Sequence, residues 1–315
     1  MELVRGIHNI LPRHHGCVLT IGKFDGVHEG HRAVLRNLIE QAKVLNLPAV
    51  VMVFEPQPEE VFFPEQAPAR LSSLREKYEQ LRDIGIDRLV CIKFVKSFAA
   101  MTAEAFITDL LVQRLGTKFL VVGDDFRFGY QRSGDFKFLK ASAEKFDFEV
   151  VNTQSYRLEN CRISSTEIRK LLALSEFEKV KQMLGRPYTI AGRVVHGDKL
   201  GRQLGFPTAN VRLHHRKSMA HGVFAVIIRW QKHMYLGVAN LGNKPTLNGR
   251  RLQLEVNIFD FCGDLYGQRI EVELVAKIRD EKKFANIDAL KNQIKIDVLQ
   301  AKDLLNSREH GNPNE

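Results

Sequence analysis

The stretch Gly22-Lys23-Phe24-Asp25-Gly26-Val27-His28-Glu29-Gly30-His31 joins the apolar run Val18-Leu19-Thr20-Ile21 to a segment with helical periodicity. A strand–turn–helix of this kind presents unpaired backbone N–H groups at the helix start, which attract anions. Its glycines allow a sharp turn and the close approach of a ligand. Its two histidines can donate hydrogen bonds to phosphate oxygens, most strongly when they are protonated. The pattern favours nucleotide binding, with a metal site or a plain turn as alternatives, and it is neither a P-loop nor G-x-G-x-x-G.

The composition is typical of a soluble globular protein with two domains. The chain has 315 residues, which is long for one hydrophobic core. No apolar run approaches the roughly 20 residues that a membrane span needs, and the N-terminus lacks the apolar core of a secretory signal. The 4 cysteines are scattered without a C-x-x-C pair, so neither a zinc knuckle nor a disulfide framework is indicated. These features predict a cytoplasmic protein without a membrane partner.

The formal net charge of +10 raises nucleic acid as a partner. The basic residues are interleaved with acids, however, and form no long block. A positive balance equally suits an enzyme with nucleotide substrates, so charge alone does not separate the two interpretations. We expect no nucleic-acid partner, and the sequence does not indicate an oligomeric state.

The first part of the chain alternates apolar runs with amphipathic segments. Strands are predicted at 18–22, 48–55, 87–94, 118–123 and 148–153, and helices at 31–46, 72–84, 102–115 and 135–146. The apolar runs are continuous, which is typical of parallel strands that are covered on both faces. One stripe of the first helix is apolar and contains Val34, Leu38, Ala42 and Leu45. The alternation predicts an α/β fold with an open, doubly wound parallel sheet, whose ligands bind beyond the C-terminal ends of the strands.

The pattern changes after Gly185-Arg186-Pro187, which supplies a helix stop for a segment predicted at 175–184. Closely spaced, more alternating runs follow at 188–195, 223–230, 235–239, 252–259 and 270–278, with turn pairs such as Asn248-Gly249 between several of them. They predict a small antiparallel barrel or sandwich. A final helix is predicted from apolar residues at three- and four-residue spacing: Ile287, Leu290, Ile294, Val298, Ala301 and Leu305. We expect domains at 1–185 and 186–306 and a disordered tail at 307–315.

Two further segments of the first domain combine polar groups with a strand end or a helix start. Gly123-Asp124-Asp125-Phe126-Arg127-Phe128-Gly129 either shapes a pocket wall or is a polar turn with its phenylalanines packed inward. Ile163-Ser164-Ser165-Thr166-Glu167-Ile168-Arg169 shows ordinary helix capping. Its hydroxyls and Arg169 equally make a phosphate cradle. By itself the first segment does not decide between its alternatives, and the second segment by itself is interpreted as capping.

The second domain contains a glycine-rich segment at 192–210. Its basic residues Lys199 and Arg202 suit a loop that wraps a polyphosphate. Thr208 and Asn210 present oxygen ligands that suit a hard cation such as Mg²⁺. A glycine-rich loop near a barrel turn is nevertheless more often structural.

Together these segments closely resemble the bacterial bifunctional riboflavin kinase/FAD synthetase family. The family's first domain carries an H-x-G-H motif, matched by His28-Glu29-Gly30-His31, and its G-x-D-F-R-F-G and I-S-S-T-x-I-R signatures are matched by 123–129 and 163–169. Its kinase half carries G-R-x-L-G-F-P-T-A-N, matched by 201–210, with further matches at 237–242, 254–256, 264–267, Arg279, Glu281, Lys282 and Phe284. The resemblance covers about residues 3–306. It implies a Rossmann-like nucleotidyltransferase domain with a parallel sheet, followed by an antiparallel barrel of the riboflavin kinase type with a terminal helix.

For the first domain the resemblance implies adenylyl transfer from ATP to FMN, which gives FAD and pyrophosphate. The implied ATP-binding residues are Gly22, Lys23, Phe24, Asp25, His28, His31, Ser164, Ser165, Thr166 and Arg169. Among them, His28 and His31 are the implied catalytic residues, because they stabilise charge on the leaving pyrophosphate. Asp125 and Phe126 are implied to lie near the nucleotide or flavin pocket.

For the second domain the resemblance implies phosphorylation of riboflavin to FMN by ATP with Mg²⁺. Glu255 is then the general base for the terminal ribityl hydroxyl, although the residue pattern alone also fits a strand residue on a solvated face. Thr208 and Asn210 are the implied metal ligands. The implied nucleotide contacts are Gly197, Arg202 and Tyr266, and the implied flavin contacts are Arg279, Lys282 and Phe284.

Two other functions stay open at this point: an adenylyltransferase for another phosphorylated substrate, and a flavin- or nucleic-acid-binding regulator without turnover. The joint presence of His28, His31 and Glu255 argues against the regulator, because binding alone does not need them. Three residues depart from the family pattern, and one of them is Met219, which stands where a proline often precedes a turn. Lys23 stands where the first motif usually has asparagine, and it either adds a phosphate contact or is solvated. Asn257 stands where the kinase half commonly has histidine.

Overall fold

The structure is a computed structural model, and it describes residues 1–123, 125–153, 157–158, 161–197, 200–213, 217–246 and 249–310. The chain divides into two compact units. The first unit comprises Met1–Pro68 and Leu74–Ser164, and the second comprises Ala69–Ser73 and the chain from Ser165 onward. The segment 165–185, which the sequence assigned to the first domain, therefore lies in the second unit.

A six-stranded sheet forms the centre of the first unit. Its strands are β1 (Glu2–Arg5), β2 (Cys17–Ile21), β3 (Ala49–Glu55), β4 (Arg88–Lys93), β5 (Thr117–Gly123) and β6 (Glu149–Thr153). Their order across the sheet is β1-β4-β3-β2-β5-β6, and neighbouring strands run parallel. The predicted parallel sheet is confirmed. The edge strand β1 was not predicted, because Leu3 and Val4 make too short an apolar run to indicate a strand.

Helices cover both faces of this sheet. They are α1 (Glu29–Leu45), α2 (Pro58–Phe62), α3 (Leu74–Ile84), α4 (Lys96–Ala99), α5 (Ala103–Ala105) and α6 (Phe136–Phe146), and α5 runs directly into a π-helical segment at Phe106–Arg114. Consecutive strand residues enter different buried clusters, which shows that both faces are covered: Leu19, Met52 and Leu120 in one, Val18, Val51 and Val121 in the other. Of the predicted stripe in α1, Leu38 and Ala42 are buried, whereas Leu45 is exposed because it is the last helical residue.

The turn after β2 lies where the strand order changes direction. β2 pairs with β3 on one side and with β5 on the other. Ligands of open α/β sheets bind beyond the carboxyl ends of the strands at such a point. The fold therefore brings the turn that follows Ile21 and the turn that follows Gly123 to the same edge of the sheet. A short antiparallel hairpin, β7 (Arg157–Leu158) and β8 (Cys161–Arg162), follows β6.

The second unit is a closed antiparallel barrel with helices. Its strands are β9 (Thr189–Val195), β10 (Ala209–Arg212), β11 (Gly222–Trp230), β12 (His233–Thr246), β13 (Gly249–Ile258) and β14 (Arg269–Arg279), in the closed order β10-β13-β12-β11-β14-β9. The predicted barrel is confirmed, and β10 adds a strand that the pattern did not indicate. Its helices are α7 (Ser165–Ala173), α8 (Phe177–Leu184), α9 (Leu200–Gln203) and α10 (Ile287–His310). Asn248 of the predicted Asn-Gly turn lies outside the described residues.

The helices α8 and α10 pack against the barrel. Phe177 of α8 meets the ring of Phe224 edge-on at 5.8 Å between centroids, which explains why α8 belongs to the second unit. Ala301 and Leu305 of α10 are buried against the outer face of the barrel, as the apolar stripe predicted, whereas Ile287 at the helix start is exposed. The helix continues to His310, four residues into the segment 307–315 for which disorder was predicted. Residues 311–315 lie outside the described residues.

A charged cluster fastens β1 at the edge of the parallel sheet. The Glu2 carboxylate accepts hydrogen bonds from Arg13 at 2.8 Å and from Arg88 at 3.1 Å, and it lies 3.1 Å from Nε2 of His14. The hydrogen bond from Arg13, with smaller contributions from Arg88 and His14, lowers the pKa of Glu2 to about 2. A carboxylate held in this way stabilises the folded chain only while it is ionised.

Glu2→Gln is expected to lower the free energy of unfolding at neutral pH by about 1 kcal/mol, the upper range for partly exposed ion pairs. Because the folded pKa lies below the unfolded value of 4.5, this advantage is present above pH 4.5 and is lost as the pH falls toward 2. Urea unfolding of both proteins at several pH values measures it. A wild-type advantage that does not shrink below pH 4.5 would contradict the assignment.

Candidate active sites

The turn between β2 and α1 contains residues in conformations that L-amino acids rarely adopt. Phe24 has a φ of 45° and Val27 a φ of 40°. Positive φ is unusual for any non-glycine residue and strained for a β-branched one. Both side chains are nevertheless buried, Val27 completely, so core packing holds the turn in shape. Strain that packing maintains is typical of ligand-binding turns.

His28 caps the N-terminus of α1. Its Nδ1 accepts a hydrogen bond from the backbone N–H of His31 at 3.3 Å. A neutral His28 therefore carries its proton on Nε2. The ring folds back over Gly30, where a Cβ atom would stand only 3.2 Å from Nδ1. Glycine at this position is what allows the capping ring to lie over the first helical turn.

His31 stacks on His28, with 3.6 Å between ring centroids and 18° between ring planes. Burial holds the pKa of His31 well below its usual range, and the charges of His28 and Lys77 lower it further. Its Nδ1 is buried and, among the described residues, has no hydrogen-bond partner. His31 is therefore neutral at pH 7, and a ligand that supplies a partner for Nδ1 relieves a costly unmet polar group.

The other residues of the turn that were predicted to bind ATP have different surroundings. Gly22 packs against Phe24, whose ring would lie 3.1 Å from a Cβ at position 22. Asp25 is buried, with 1% of its surface exposed. Nζ of Lys23 donates to a carboxylate oxygen of Glu59 in α2. Lys23 is therefore already paired with an acid, a partner that the sequence did not predict.

The segment at 163–169 begins a helix, as predicted. The carbonyl oxygen of Ile163 lies 3.6 Å from the position that a Cβ on Gly30 would occupy. The start of this segment is thereby placed beside the first turn of α1. Ser164 is the last residue of the first unit, whereas Ser165, Thr166 and Arg169 lie in α7 of the second. Within that unit, Nε of Arg169 donates to the carbonyl of Ala69 at 2.7 Å.

The first unit contains a cavity of about 570 Å³ with a mainly aromatic wall, which we call the aromatic cavity. Its rings are Phe54, Phe62, Phe63, Phe94, Phe98, Phe106, Phe126, Phe128 and Tyr130. Several pairs meet edge-on or tilted, at centroid distances between 5.2 and 5.8 Å. A cavity of this size and lining suits a flat, partly apolar ligand.

Only part of the aromatic cavity was foreseen. Phe126, predicted near the nucleotide or flavin, lines it, whereas Asp125 is exposed and does not line it. Most of the other rings were not predicted. A signal was present for two of them, since Phe54 and Phe94 lie at the carboxyl ends of two predicted strands.

The second unit contains a cavity of about 440 Å³, which we call the barrel cavity. Six residues predicted for the kinase site line it: Thr208, Asn210, Glu255, Arg279, Lys282 and Phe284. Residues of α10, among them Ile294 and Asp297, line it as well. Because α10 packs on the outside of the barrel, this cavity lies on the outer face rather than in the barrel interior.

Glu255 projects from the outer face of β13, because its neighbours Leu254 and Val256 are completely buried. In the strand register it lies directly opposite Asn210 of β10 and Asn240 of β12. Its Oε1 accepts a hydrogen bond at 2.8 Å from Nε2 of Gln253. The same amide group donates to Oδ1 of Asn210 at 2.5 Å. Gln253 thus links the predicted base to a predicted metal ligand.

The glycine-rich loop packs directly against the two predicted metal ligands, Thr208 and Asn210. A Cβ at Gly197 would stand 2.3 Å from the side chain of Asn210, and a Cβ at Gly201 would stand 3.1 Å from Oγ1 of Thr208. A larger residue at position 197 would displace the side chain of Asn210, and one at position 201 would overlap the carbonyl oxygen of Phe206, 2.4 Å from its Cβ. The loop therefore needs glycine there for reasons of space, in addition to turn geometry.

The remaining predicted nucleotide contacts lie away from the lining of the barrel cavity. Arg202 is exposed, and the ring of Tyr266 lies tilted against that of His196, with 3.9 Å between ring centroids. Lys199, the other basic residue of the loop, lies outside the described residues. The departing residue Asn257 lines the cavity and donates to the carbonyl of Pro207 at 2.8 Å.

Ion pairs and hydrogen bonds fasten the predicted flavin contacts to α10. The guanidinium of Arg279 makes two hydrogen bonds to the buried carboxylate of Asp297, at 2.8 and 2.7 Å. Nζ of Lys282 donates to Gln293 at 2.6 Å. Both cations lie near the ring of Phe284, at 5.7 and 5.4 Å from its centroid. The cluster holds an aromatic face and two cations at one side of the cavity.

Several polar residues of this site were not predicted, among them Gln253, Asn240 and Asp297. Asp297 carried a signal, because it follows Ile294 by three residues and so places an acid on the predicted apolar stripe of α10. Asn240 stood within a matched motif without an assigned role. No feature of the sequence indicated Gln253, since its importance depends on the strand register that puts it beside Asn210.

Within the described parts of the chain, no group of three or more His, Cys, Asp or Glu side chains is arranged to hold a metal ion. The helices in those parts include none that is long and apolar enough to span a membrane. The predicted metal ligands Thr208 and Asn210 are of other residue types, so the first finding does not bear on them.

Two protein-family models match this chain, one in each half. The family model described as FAD synthetase matches residues 10–167, and that described as riboflavin kinase matches residues 184–305. A crystal structure of a protein described as a macrolide-efflux protein from Streptococcus pneumoniae superposes with a TM-score of 0.76 at 32% identity. The superposition covers 94% of this chain and 97% of that one.

Curated relatives match along nearly the whole chain. A bifunctional riboflavin kinase/FMN adenylyltransferase from Escherichia coli (strain K12) is 50% identical over 305 residues, covering 96% of this chain and 97% of that protein. One from Haemophilus influenzae is 48% identical over 308 residues, covering 98% and 100%. The predicted resemblance is confirmed, and the chain belongs to the family of bifunctional riboflavin kinase/FMN adenylyltransferases.

Proposed function

We propose that the two reactions of this bifunctional enzyme run at two separate sites, adenylyl transfer within residues 1–185 and phosphorylation of riboflavin within residues 186–306. The observation that carries the proposal is that each unit has its own cavity and its own polar cluster. The first combines the stacked histidines with the aromatic cavity. The second combines Glu255 and its amide neighbours with the barrel cavity.

In the barrel cavity, Glu255 acts as the general base. The terminal ribityl oxygen of riboflavin bonds to the γ-phosphorus of ATP while the bond from that phosphorus to the bridging oxygen breaks, which gives FMN and ADP. The hydroxyl proton must leave as the new bond forms, and a carboxylate is suited to accept it. The hydrogen bond from Gln253 holds the carboxylate in place. Phe284, flanked by Arg279 and Lys282, supplies a face for the flavin ring.

The residues of this site fit Mg²⁺. Oγ1 of Thr208, Oδ1 of Asn210 and the carboxylate of Glu255 are hard oxygen donors, the type that Mg²⁺ prefers. The close packing of Gly197 and Gly201 on these side chains supports a site shaped around them. Thr208 and Asn210 would hold the ion, which neutralises phosphate charge when it is bound. The Gln253 amide orients Oδ1 of Asn210. Gly197, Arg202 and Tyr266 contribute to nucleotide binding.

Within residues 1–185, an oxygen of the FMN phosphate bonds to the α-phosphorus of ATP while the bond from that phosphorus to the bridging oxygen breaks, and pyrophosphate leaves. No side-chain nucleophile is needed, so the protein contributes positioning and charge stabilisation. His28 and His31 stabilise the charge that develops on the leaving pyrophosphate, at a helix N-terminus that itself attracts anions. The turn at 22–25 shapes the nucleotide site, and Ser164, Ser165, Thr166 and Arg169 hold the β- and γ-phosphates. The flavin ring of FMN occupies the aromatic cavity beside Phe126.

The enzyme acts in the cytoplasm on small molecules and needs no nucleic-acid partner. Support comes from its substrates, because ATP and the free flavins are intracellular metabolites. Among the described residues, Cys17, Cys91 and Cys262 form no disulfide bond, as expected in a reducing compartment.

Two variants separate the sites. His31→Ala is expected to lower FAD formation from FMN by about a hundred-fold or more, because it removes a charge-stabilising group, while FMN formation from riboflavin continues. Glu255→Gln is expected to lower FMN formation by a similar factor or more and to spare FAD formation from supplied FMN. Product-resolved chromatography with ATP and Mg²⁺ measures both. If either variant, shown to be folded by its thermal unfolding, loses both activities together, the two-site proposal is wrong.

ATP binding is expected to be coupled to protonation of His31. In the free enzyme the pKa of His31 lies well below its usual value, chiefly because the ring is buried. A phosphate beside the ring raises this pKa. The wild type therefore takes up protons when ATP binds, and it binds ATP more tightly as the pH falls. Calorimetry with a non-hydrolysable ATP analogue in buffers of different ionisation enthalpy counts those protons. Since ATP also binds in the barrel, the informative quantity is the difference between the wild type and His31→Gln. Equal proton uptake by both would contradict the assignment.

Asn210→Ala is expected to raise the Mg²⁺ concentration for half-maximal FMN formation about ten-fold or more, the scale on which residues of a metal shell act. Asn210→Asp keeps an oxygen ligand and should retain more of the affinity. Titration of kinase activity with Mg²⁺ measures the effect, and the Mg²⁺ dependence of FAD formation in the same variants is the internal control. An unchanged requirement in Asn210→Ala would exclude Asn210 as a ligand.

A further inference from the structure

Lys23 connects the turn Gly22–His31, which we call the nucleotide turn, to a different element of the first unit. It is the only lysine or arginine in the stretch Gly22–His31, and its Nζ donates to Oε1 of Glu59 in α2. Side-chain exposure is 51% for Lys23 and 35% for Glu59, so neither group is fully solvated. A cation already paired with a carboxylate contributes little net charge to a phosphate unless that pair first breaks.

The element that Lys23 contacts depends on such tertiary contacts. α2 has only 5 residues, Pro58–Phe62. Helices this short gain little stability from their own hydrogen bonds. Its N-terminus is fastened locally, because the backbone N–H of Gln57 donates to Glu60 at 2.9 Å. Near its C-terminus, the ring of Phe62 meets Phe94 edge-on at 5.8 Å. The ion pair of Glu59 with Lys23 is a further contact between α2 and the rest of the unit.

The same short helix forms part of the wall of the aromatic cavity. Pro58, Glu59 and Phe62 all line that cavity. Phe62 is half exposed, so its contact with Phe94 covers only part of the ring. The ion pair of Glu59 in the same helix therefore helps to determine where the ring of Phe62 lies. One end of the ion pair is therefore in the nucleotide turn, and the other is in the wall of the aromatic cavity.

We propose that Lys23 is a positioning residue for the flavin substrate: its ion pair with Glu59 fixes α2, and with it the wall of the aromatic cavity, to the nucleotide turn. Lys23 then acts on FMN binding through Glu59 and does not bind phosphate directly. This inference rests on the proposed assignment of FMN to the aromatic cavity.

The test is a double-mutant cycle in the full-length enzyme with Lys23→Asn, Glu59→Gln and the double variant. Each single change is expected to raise the KM for FMN in FAD formation about two- to five-fold, the range that a partly exposed ion pair supports. The double variant should be no worse than either single one, because both remove the same interaction. The KM for ATP and the rate of FMN formation from riboflavin should stay unchanged. The charge exchange Lys23→Glu with Glu59→Lys should restore part of the FMN affinity.

Lys118→Asn is the matched control. Lys118 has the same side-chain exposure as Lys23, 51%, and forms an ion pair with Asp147 at 3.0 Å. Its partner lies outside the cavity wall, so this variant should leave the KM for FMN unchanged. If the KM for FMN rose equally in Lys118→Asn and Lys23→Asn, a general loss of surface charge would explain the effect. This result would overturn the proposal.

A direct phosphate contact would produce the opposite pattern. Lys23→Asn would then raise the KM for ATP, whereas Glu59→Gln would release Lys23 and lower it, and this result would overturn the proposal. Phe126→Ala tests the underlying assignment separately. If Phe126→Ala leaves the KM for FMN unchanged, the aromatic cavity is not the flavin site. If Phe126→Ala raises that KM while the Lys23 and Glu59 variants do not, only the positioning role fails.

Discussion

Both units are organised by one constraint, which is that the apolar faces of their strands must be buried. In the first unit both faces of the parallel sheet are covered, so polar groups can gather only at the strand ends. In the barrel the interior is apolar, so polar groups of the strands are confined to the outer face. Burial of the strand faces therefore leaves His28 and His31 in the turn after β2, and Glu255 on the outer face of β13. Each site lies where the burial of strands leaves room for polar chemistry.

Close packing around glycine is the second feature that the two sites share. His28 folds over Gly30 in one unit, and Asn210 folds against Gly197 in the other. At Gly197 the side chain of Asn210, proposed to bind metal, overlaps the space of a Cβ, and at Gly30 the ring of His28, proposed to bind phosphate, would lie in tight contact with one, 3.2 Å away. Glycine in these motifs therefore does more than permit a turn. It lets a functional side chain lie against the backbone at a fixed position.

Patterns that depend on local sequence predicted the fold well, and long-range packing accounts for what was missed. Continuous apolar runs indicated the parallel strands, and alternating runs indicated the barrel. The motifs supplied the histidine pair and Glu255, but strand alternation could not place Glu255 on the outer face, because that requires the register with β10 and β12. Likewise, the pairing of Lys23 with Glu59 joins residues 36 positions apart, and no local pattern contains it.

In the proposed scheme, two independent sites on one chain work in sequence. Mixing two full-length variants, each inactive at one of the two sites, is the sharpest test of this arrangement. Equal amounts of His31→Ala and Glu255→Gln are combined with riboflavin, ATP and Mg²⁺, and the products are resolved over time. We expect the FMN made by His31→Ala to be converted to FAD by Glu255→Gln, although neither variant alone produces FAD efficiently from riboflavin. A mixture that accumulates FMN and forms no more FAD than the separate variants would contradict it.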